Sequence, residues 1–171
     1  RERVTVHPKG TSASKLSIHL LGKYTPGAHE VVKAGPRLLK VLDPQGNADM
    51  LAGLLDYHRQ WPEGHTVVRI WENTPDTHYP FEANPEQSAG HYWRTVLAPA
   101  LEKLSPEARA AIDFLEGPNE NETCPTWQEG VAGARWFGRF EARLAQHIAE
   151  GGYRPLLGNI SVANPPGSPE E

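Results

Sequence analysis

DFLEGPNENE, residues 113–122, begins as a short apolar strand and turns at Gly117-Pro118 into a run of amides and carboxylates. A strand that breaks off into Asn and Glu fits one context well. In parallel α/β folds the working residues sit at the C-terminal ends of the strands. Reading outward, the same rhythm recurs. KLSIHLLG (15–22), RLLKVLD (37–43), HTVVRIWEN (65–73), AAIDFLEG (110–117) and RPLLGNISV (154–162) are short, rich in Val, Ile and Leu, and bounded by turn residues.

Helical patterns fill the intervals. Asn47 is placed to cap ADMLAGLLDYHRQ, with Met50, Leu51, Leu54, Leu55 and His58 on one face. Asn84-Pro85-Glu86 opens a helix through SAGHYWRTVLAPALEKL, with a break or kink expected at Pro99. Ser105-Pro106-Glu107 opens a short one, and the longest runs from Pro125 to Gly151-Gly152, with Trp127, Trp136 and Phe137 in its core face. The first connection, TPGAHEVVKAG, holds at most a short helix. Strands alternating with helices predict βαβ units and a parallel sheet.

LLGKYTPG (20–27) is neither GxGxxG nor a Walker A sequence, which disfavours a nucleotide-binding doubly wound fold. The expected architecture is a (β/α)8 TIM-barrel-like fold with about five βα units present, since a whole barrel takes about 250 residues and the chain has 171. Residues 1–15, ending in GTSAS, read as a leader or linker, and 16–171 as the barrel domain, its N-terminal portion. Five strands leave open sheet edges, so a second chain, a missing C-terminal half or a longer parent is expected to complete the barrel.

The composition narrows the partners. Net charge is −4 with no basic stripe, which argues against nucleic acid. No apolar run reaches the ~20 residues of a membrane span, and RERVTVHPKG lacks a signal-peptide core. The single Cys124 excludes an intrachain disulfide framework. Eight His residues form neither HxH nor HExxH, so no metal and no cofactor are expected.

The strand ends carry a consistent set: Tyr24 after the first, Asp43 after the second, Trp71 and Glu72 after the third, Asn119 and Glu120 after the fourth, Asn159 after the fifth. Amides and carboxylates hydrogen-bond sugar hydroxyls, aromatic faces stack on C–H surfaces, and acids transfer protons.

FLEGPNE resembles the fourth-strand signature of the clan A glycoside hydrolases, retaining enzymes built on this barrel. AGPRLLKVLD, VVRIWEN and GYRPLLGNIS extend the resemblance over roughly residues 16–165. It implies that Glu120 is the general acid/base and Asn119 the amide that contacts the substrate's 2-hydroxyl. It implies cleavage of a glycosidic bond in a polysaccharide or cell-wall glycan, and hence an extracellular or secreted protein. The family's nucleophile follows strand seven, which this chain lacks. A retaining mechanism needs a second carboxyl about 5–5.5 Å away, from Asp43, Glu72 or another segment or chain. The alternative is a non-catalytic carbohydrate-binding module on a degenerate or incomplete barrel.

Other charges read structurally. Alternation sets His19, Lys40, Arg69 and Glu116 on one set of faces, where Glu116 is expected to pair with Arg69 or Lys40 as a structural ion cluster. Asp43, before Pro44, reads either as a turn former or as a site carboxylate. Glu122 reads as a loop or helix-end charge.

Overall fold

The computed structural model of the chain describes residues 10–71, 77–119 and 130–159. Strands and helices alternate: β1 (Ile18–Leu20), α1 (Pro26–Lys33), β2 (Leu38–Leu42), α2 (Ala48–Gln60), β3 (His65–Arg69), α3 (Pro85–Tyr92), α4 (Ala98–Glu102), α5 (Pro106–Ala110), β4 (Phe114–Glu116), α6 (Gly130–Glu150) and β5 (Arg154–Leu156). The strands form one parallel five-stranded sheet in the order β1-β2-β3-β4-β5, so the fold is α/β. Each strand lies inside its predicted window but is shorter. The fourth loses its first residues because Ala110 and Ala111 finish α5, the Ala111 N–H bonding Glu107 O at 3.1 Å.

Helix starts follow local chemistry. Thr25, Asn47, Asn84 and Ser105 sit in extended backbone and each accepts an N–H of the first turn it caps. In α1, α3 and α5 a proline follows the cap, where its missing N–H costs nothing.

By contacts the chain divides into two compact units, Arg1–Arg69 with Leu104–Phe114, and Ile70–Lys103 with Leu115–Glu171. In the first, the register pairs His19 with Lys40, Lys40 with Val67, and Leu42 with Arg69. Leu20, Leu39, Val41, Thr66 and Val68 therefore share one face, all buried, and α1 and α2 pack against β1 and β2. Helix α2 buries Met50, Gly53, Leu54 and Tyr57. The stripe is rotated from the predicted one, leaving Leu51, Leu55 and His58 half-buried. Tyr57 belongs inside because its hydroxyl donates to Pro36 O at 2.7 Å. Asp113, which opens the DFLEGPNENE stretch, staples the approach to β4: its Oδ2 accepts the Thr66 N–H at 2.9 Å, and its own N–H donates to Thr66 Oγ1 at 2.9 Å.

In the second unit α3 packs on α6. Tyr79, Tyr92, Trp136 and Phe140 form an aromatic cluster, with Trp136 and Phe140 stacked at 5.6 Å. Between α3 and α4 the helix widens into one π turn, Trp93–Leu97, where the Ala98 N–H reaches back to Trp93 O. Sequence placed the irregularity at Pro99; it falls just before. Pro99 has no N–H for Thr95 O and its ring crowds that carbonyl, so the preceding turn opens. Helix α6 ends at Gly151-Gly152: the Gly151 N–H bonds His147 O, Gly152 has φ 90°, and the Tyr153 N–H returns to Ile148 O.

Candidate functional site

The first unit gathers basic groups on the sheet face opposite α1 and α2, with His65 on that face at the start of β3. His19, Lys40 and Arg69 all point there by register. His19 keeps one side open to solvent, yet burial of its ring, then the charges of Lys40 and Arg69, hold its pKa below the ordinary value. Lys40 and Arg69 are half-buried.

Two of the predicted rim residues lie in this unit. Tyr24 is committed to packing: its hydroxyl donates to Asp56 Oδ2 at 2.6 Å, and its ring meets His29 edge-on at 5.8 Å. His29 Nε2 lies 3.4 Å from the same oxygen, so loop, α1 and α2 meet on one carboxylate. Burial, then Asp56, push the Tyr24 hydroxyl pKa up. Burial acts to raise the Asp56 pKa, but hydrogen bonds from Tyr24 and Gln60 and the nearby His29 and Arg59 charges outweigh it and leave it lowered. Asp43 is half-buried in the turn after β2 with φ 52°, a left-handed conformation uncommon for a side-chain-bearing residue. Its N–H donates to Arg69 O at 2.9 Å, its carbonyl accepts Gly46 N–H at 3.2 Å, and Oδ1 accepts Gln45 Nε2 at 3.1 Å. Asp43 thus forms the turn, and its carboxylate stays at the strand end.

The second unit brings two predicted residues together. A parallel bridge sets Asn119 beside Asn159, just past β4 and β5. Before it, the Gly117 N–H donates to Leu156 O at 2.9 Å, so the pairing runs on past the strands. Asn159 Nδ2 is shielded from solvent and donates to no described residue. Trp71, following β3, leaves 48% of its surface exposed, open enough for a flat ligand. Glu116 is fully buried on β4; it belongs to this unit, whereas Lys40 and Arg69 belong to the other. Glu120 and Glu72 lie outside the described residues, as do Glu122, Cys124 and Trp127. Trp136 and Phe137 are buried.

Sequence reasoning missed Glu141. It sits on α6 with 6% of its surface exposed. Its Oε2 accepts the Gly158 N–H at 3.0 Å, and its Oε1 is buried with no hydrogen-bond partner among the described residues. Burial raises its pKa to about 7, the Gly158 N–H opposing the rise. The signal was present: Glu141 interrupts the apolar stripe of Phe137, Phe140, Leu144 and Ile148, where a lone carboxylate is costly.

A hollow of about 560 Å³ opens beside the starts of α3 and α6, lined in part by Phe81, Pro85, Val131, Arg135 and Trp136. Arg139 at its margin is held by Glu86, Nε to Oε1 at 2.8 Å and Nη2 to Oε2 at 3.0 Å. Among the described residues no three His, Cys, Asp or Glu side chains cluster closely enough to hold a metal ion, and no helix is long and apolar enough to cross a membrane.

Comparison of the chain with protein-family models, with curated proteins and with solved structures finds no match.

Proposed function

We propose that the protein is a glycoside hydrolase-like protein that binds a polysaccharide or cell-wall glycan and cleaves a glycosidic bond, with Glu120 as general acid/base. The observation that carries this reading is the bridge that sets Asn119 beside Asn159 at the ends of β4 and β5. Neighbouring amide residues of this kind serve vicinal hydroxyls, Asn119 with its amide and Asn159 with groups other than its shielded Nδ2, and Glu120 follows Asn119 directly in the chain. The sheet order supports a (β/α)8-type architecture. Doubly wound folds reverse their strand order at a switch point, whereas the order here runs unbroken from β1 to β5.

In the proposed reaction the Glu120 carboxyl donates its proton to the glycosidic oxygen as the bond to the anomeric carbon breaks. Water then supplies hydroxide to that carbon and returns a proton to Glu120. To hold its proton near neutral pH, Glu120 needs a raised pKa. The retaining route adds a nucleophilic carboxylate about 5–5.5 Å from the acid, for which Asp43 and Glu72 are the candidates within the chain. The test is turnover of a panel of polysaccharides and aryl glycosides by the wild-type protein beside Glu120→Gln, Asp43→Asn and Glu72→Gln. Turnover lost in Glu120→Gln, with the fold intact, supports the hydrolase. Glycan binding without turnover in any form leaves a binding module, served by the amides and by Trp71.

A further inference from the structure

Helix α6 spends a position in its apolar stripe on a carboxyl group. The residues around it in the helix are Phe137, Phe140, Leu144 and Ile148, all buried. Leucine there would avoid the desolvation of a polar group, so the placement calls for something the carboxyl does. Its surroundings supply that. A Cβ built on Gly117 would lie 3.4 Å from Glu141 Oε1 and 3.4 Å from a methyl of Leu157. Glu141 therefore lies against the end of β4 while its other oxygen holds the Gly158 N–H beyond β5. Two residues past Gly117 comes Asn119, one past Gly158 comes Asn159, and those two are bridged.

We propose that Glu141 is the positioning residue of the Asn119–Asn159 pair: by accepting the Gly158 N–H while packed against Gly117, it fixes the two strand ends that present the amides to a glycan. The part concerning glycan rests on the proposed function; the positioning itself does not. Gly158 has φ 75°, a conformation that leaves its N–H free of the strand ladder and able to turn toward the helix. Among the described residues of this unit no other charge is placed to compete. Glu116 precedes Gly117 on β4 and so points to the opposite face of the sheet. Arg154 on β5 is exposed, and Arg143 and His147 on α6 lie off the buried stripe. Burial raises the Glu141 pKa, and the Gly158 N–H opposes the rise.

The test follows the Gly158 backbone amide and the Asn159 side-chain amide of the full chain by NMR from pH 5 to 9. The wild-type protein should show both moving through one shared midpoint near the Glu141 pKa of about 7. Glu141→Gln, which keeps an acceptor oxygen and cannot ionise, should leave both flat. Glu141→Leu should displace the Gly158 amide at every pH and speed exchange of the Asn159 side chain about ten-fold, the loss of one charge-assisted hydrogen bond. The positioning role is overturned by a Gly158 titration that Asn159 does not follow, or by two amides that do not move in Glu141→Leu. Affinity for cellohexaose, xylohexaose or chitohexaose, whichever the wild-type protein binds, should fall about ten-fold in Glu141→Leu and recover in Glu141→Gln. Undiminished affinity in Glu141→Leu also overturns the role. No binding by the wild-type protein, with the two amides still titrating together, removes the functional reading and leaves the positioning role standing.

Discussion

Replacing Glu141 with Gln should change the way stability depends on pH more than it changes stability at any single pH. The wild-type carboxyl is 6% exposed, accepts one N–H, and has its pKa raised from 4.5 to about 7. A carboxyl with a raised folded-state pKa holds its proton in the folded state after losing it in the unfolded chain. Its contribution is therefore fully present below the unfolded value and is lost as pH rises toward the folded one. The window runs from about 4.5 to about 7, and at about 1.4 kcal/mol per pH unit the loss across it is about 3 kcal/mol. Glutamine cannot ionise, so the variant should lack this loss. The stability difference between variant and wild type should swing in the variant's favour by about 3 kcal/mol between pH 4.5 and pH 8. Urea denaturation reads this as a relative midpoint shift of about 1–2 M for a domain of ordinary m-value. Measuring the difference also removes His19, whose lowered pKa makes stability rise with pH just below 6.5 and so opposes the Glu141 effect in the wild-type curve. A difference that stays constant from pH 4.5 to 8 would refute the argument, because it would mean that burial does not penalise the Glu141 charge.

Two further substitutions separate turn and packing roles from chemistry. Asp43→Gly relieves a φ of 52° and, after the flexibility it adds, should leave melting unchanged or gain about 0.5 kcal/mol, while Asp43→Val should lose about 1–2 kcal/mol; a thermal melt reads both, and loss of turnover in a stable Asp43→Gly protein would mark the carboxylate as chemical. Tyr24→Phe removes the 2.6 Å donor to Asp56 and should cost about 1.5–3 kcal/mol at neutral pH. The contribution of Asp56 is present above its unfolded value of 3.8 and lost as pH falls below it, so the variant should show a shallower acid limb; an acid limb identical to wild type would mean that Tyr24 does not hold the Asp56 charge.

The elements were legible because local signals set them. Asn47, Asn84 and Ser105 each announce a helix by a cap, and two of the three are followed by proline; the Thr25 cap of the short α1 was not read from the sequence. Helix α2 occupies the residues its cap and period predicted, Ala48–Gln60. The rotation of its buried stripe was not legible, because it follows from Tyr57 reaching Pro36, a bond across 21 residues. The Tyr24–Asp56 bond spans 32 residues and the Glu141–Gly158 bond 17. Such pairs depend on how elements dock, which hydrophobic period does not encode. The pairing of Asn119 with Asn159 was legible only as two similar strand ends; their adjacency needed the β4–β5 neighbourhood. Glu120 and Glu72, the carboxylates on which the chemical reading turns, lie outside the described residues.

The charges on one sheet face of the first unit bear on the proposed barrel architecture. Right-handed crossovers between sequential neighbours put every helix on the same face of a sheet. In β1–β3 that face carries Leu20, Leu39, Val41 and Val68, all buried. The other face carries His19, Lys40 and Arg69 among Leu38, Leu42 and Val67. A doubly wound sheet needs both faces apolar, because helices cover both, and its strands read as unbroken hydrophobic runs. Here Lys40 interrupts β2 and Arg69 ends β3 on the same face, where a covering helix would have to bury them. A barrel interior accepts charges on that face provided that facing strands supply counter-charges. The reading therefore makes a demand on chemistry. Lys40→Leu and Arg69→Leu, made singly, should each change stability less than the pair does together, because removing one of two like charges on one face also relieves their repulsion, so the double substitution should cost more than the two single effects added together. Strictly additive losses would mean that the two cations act independently and share no ionic network.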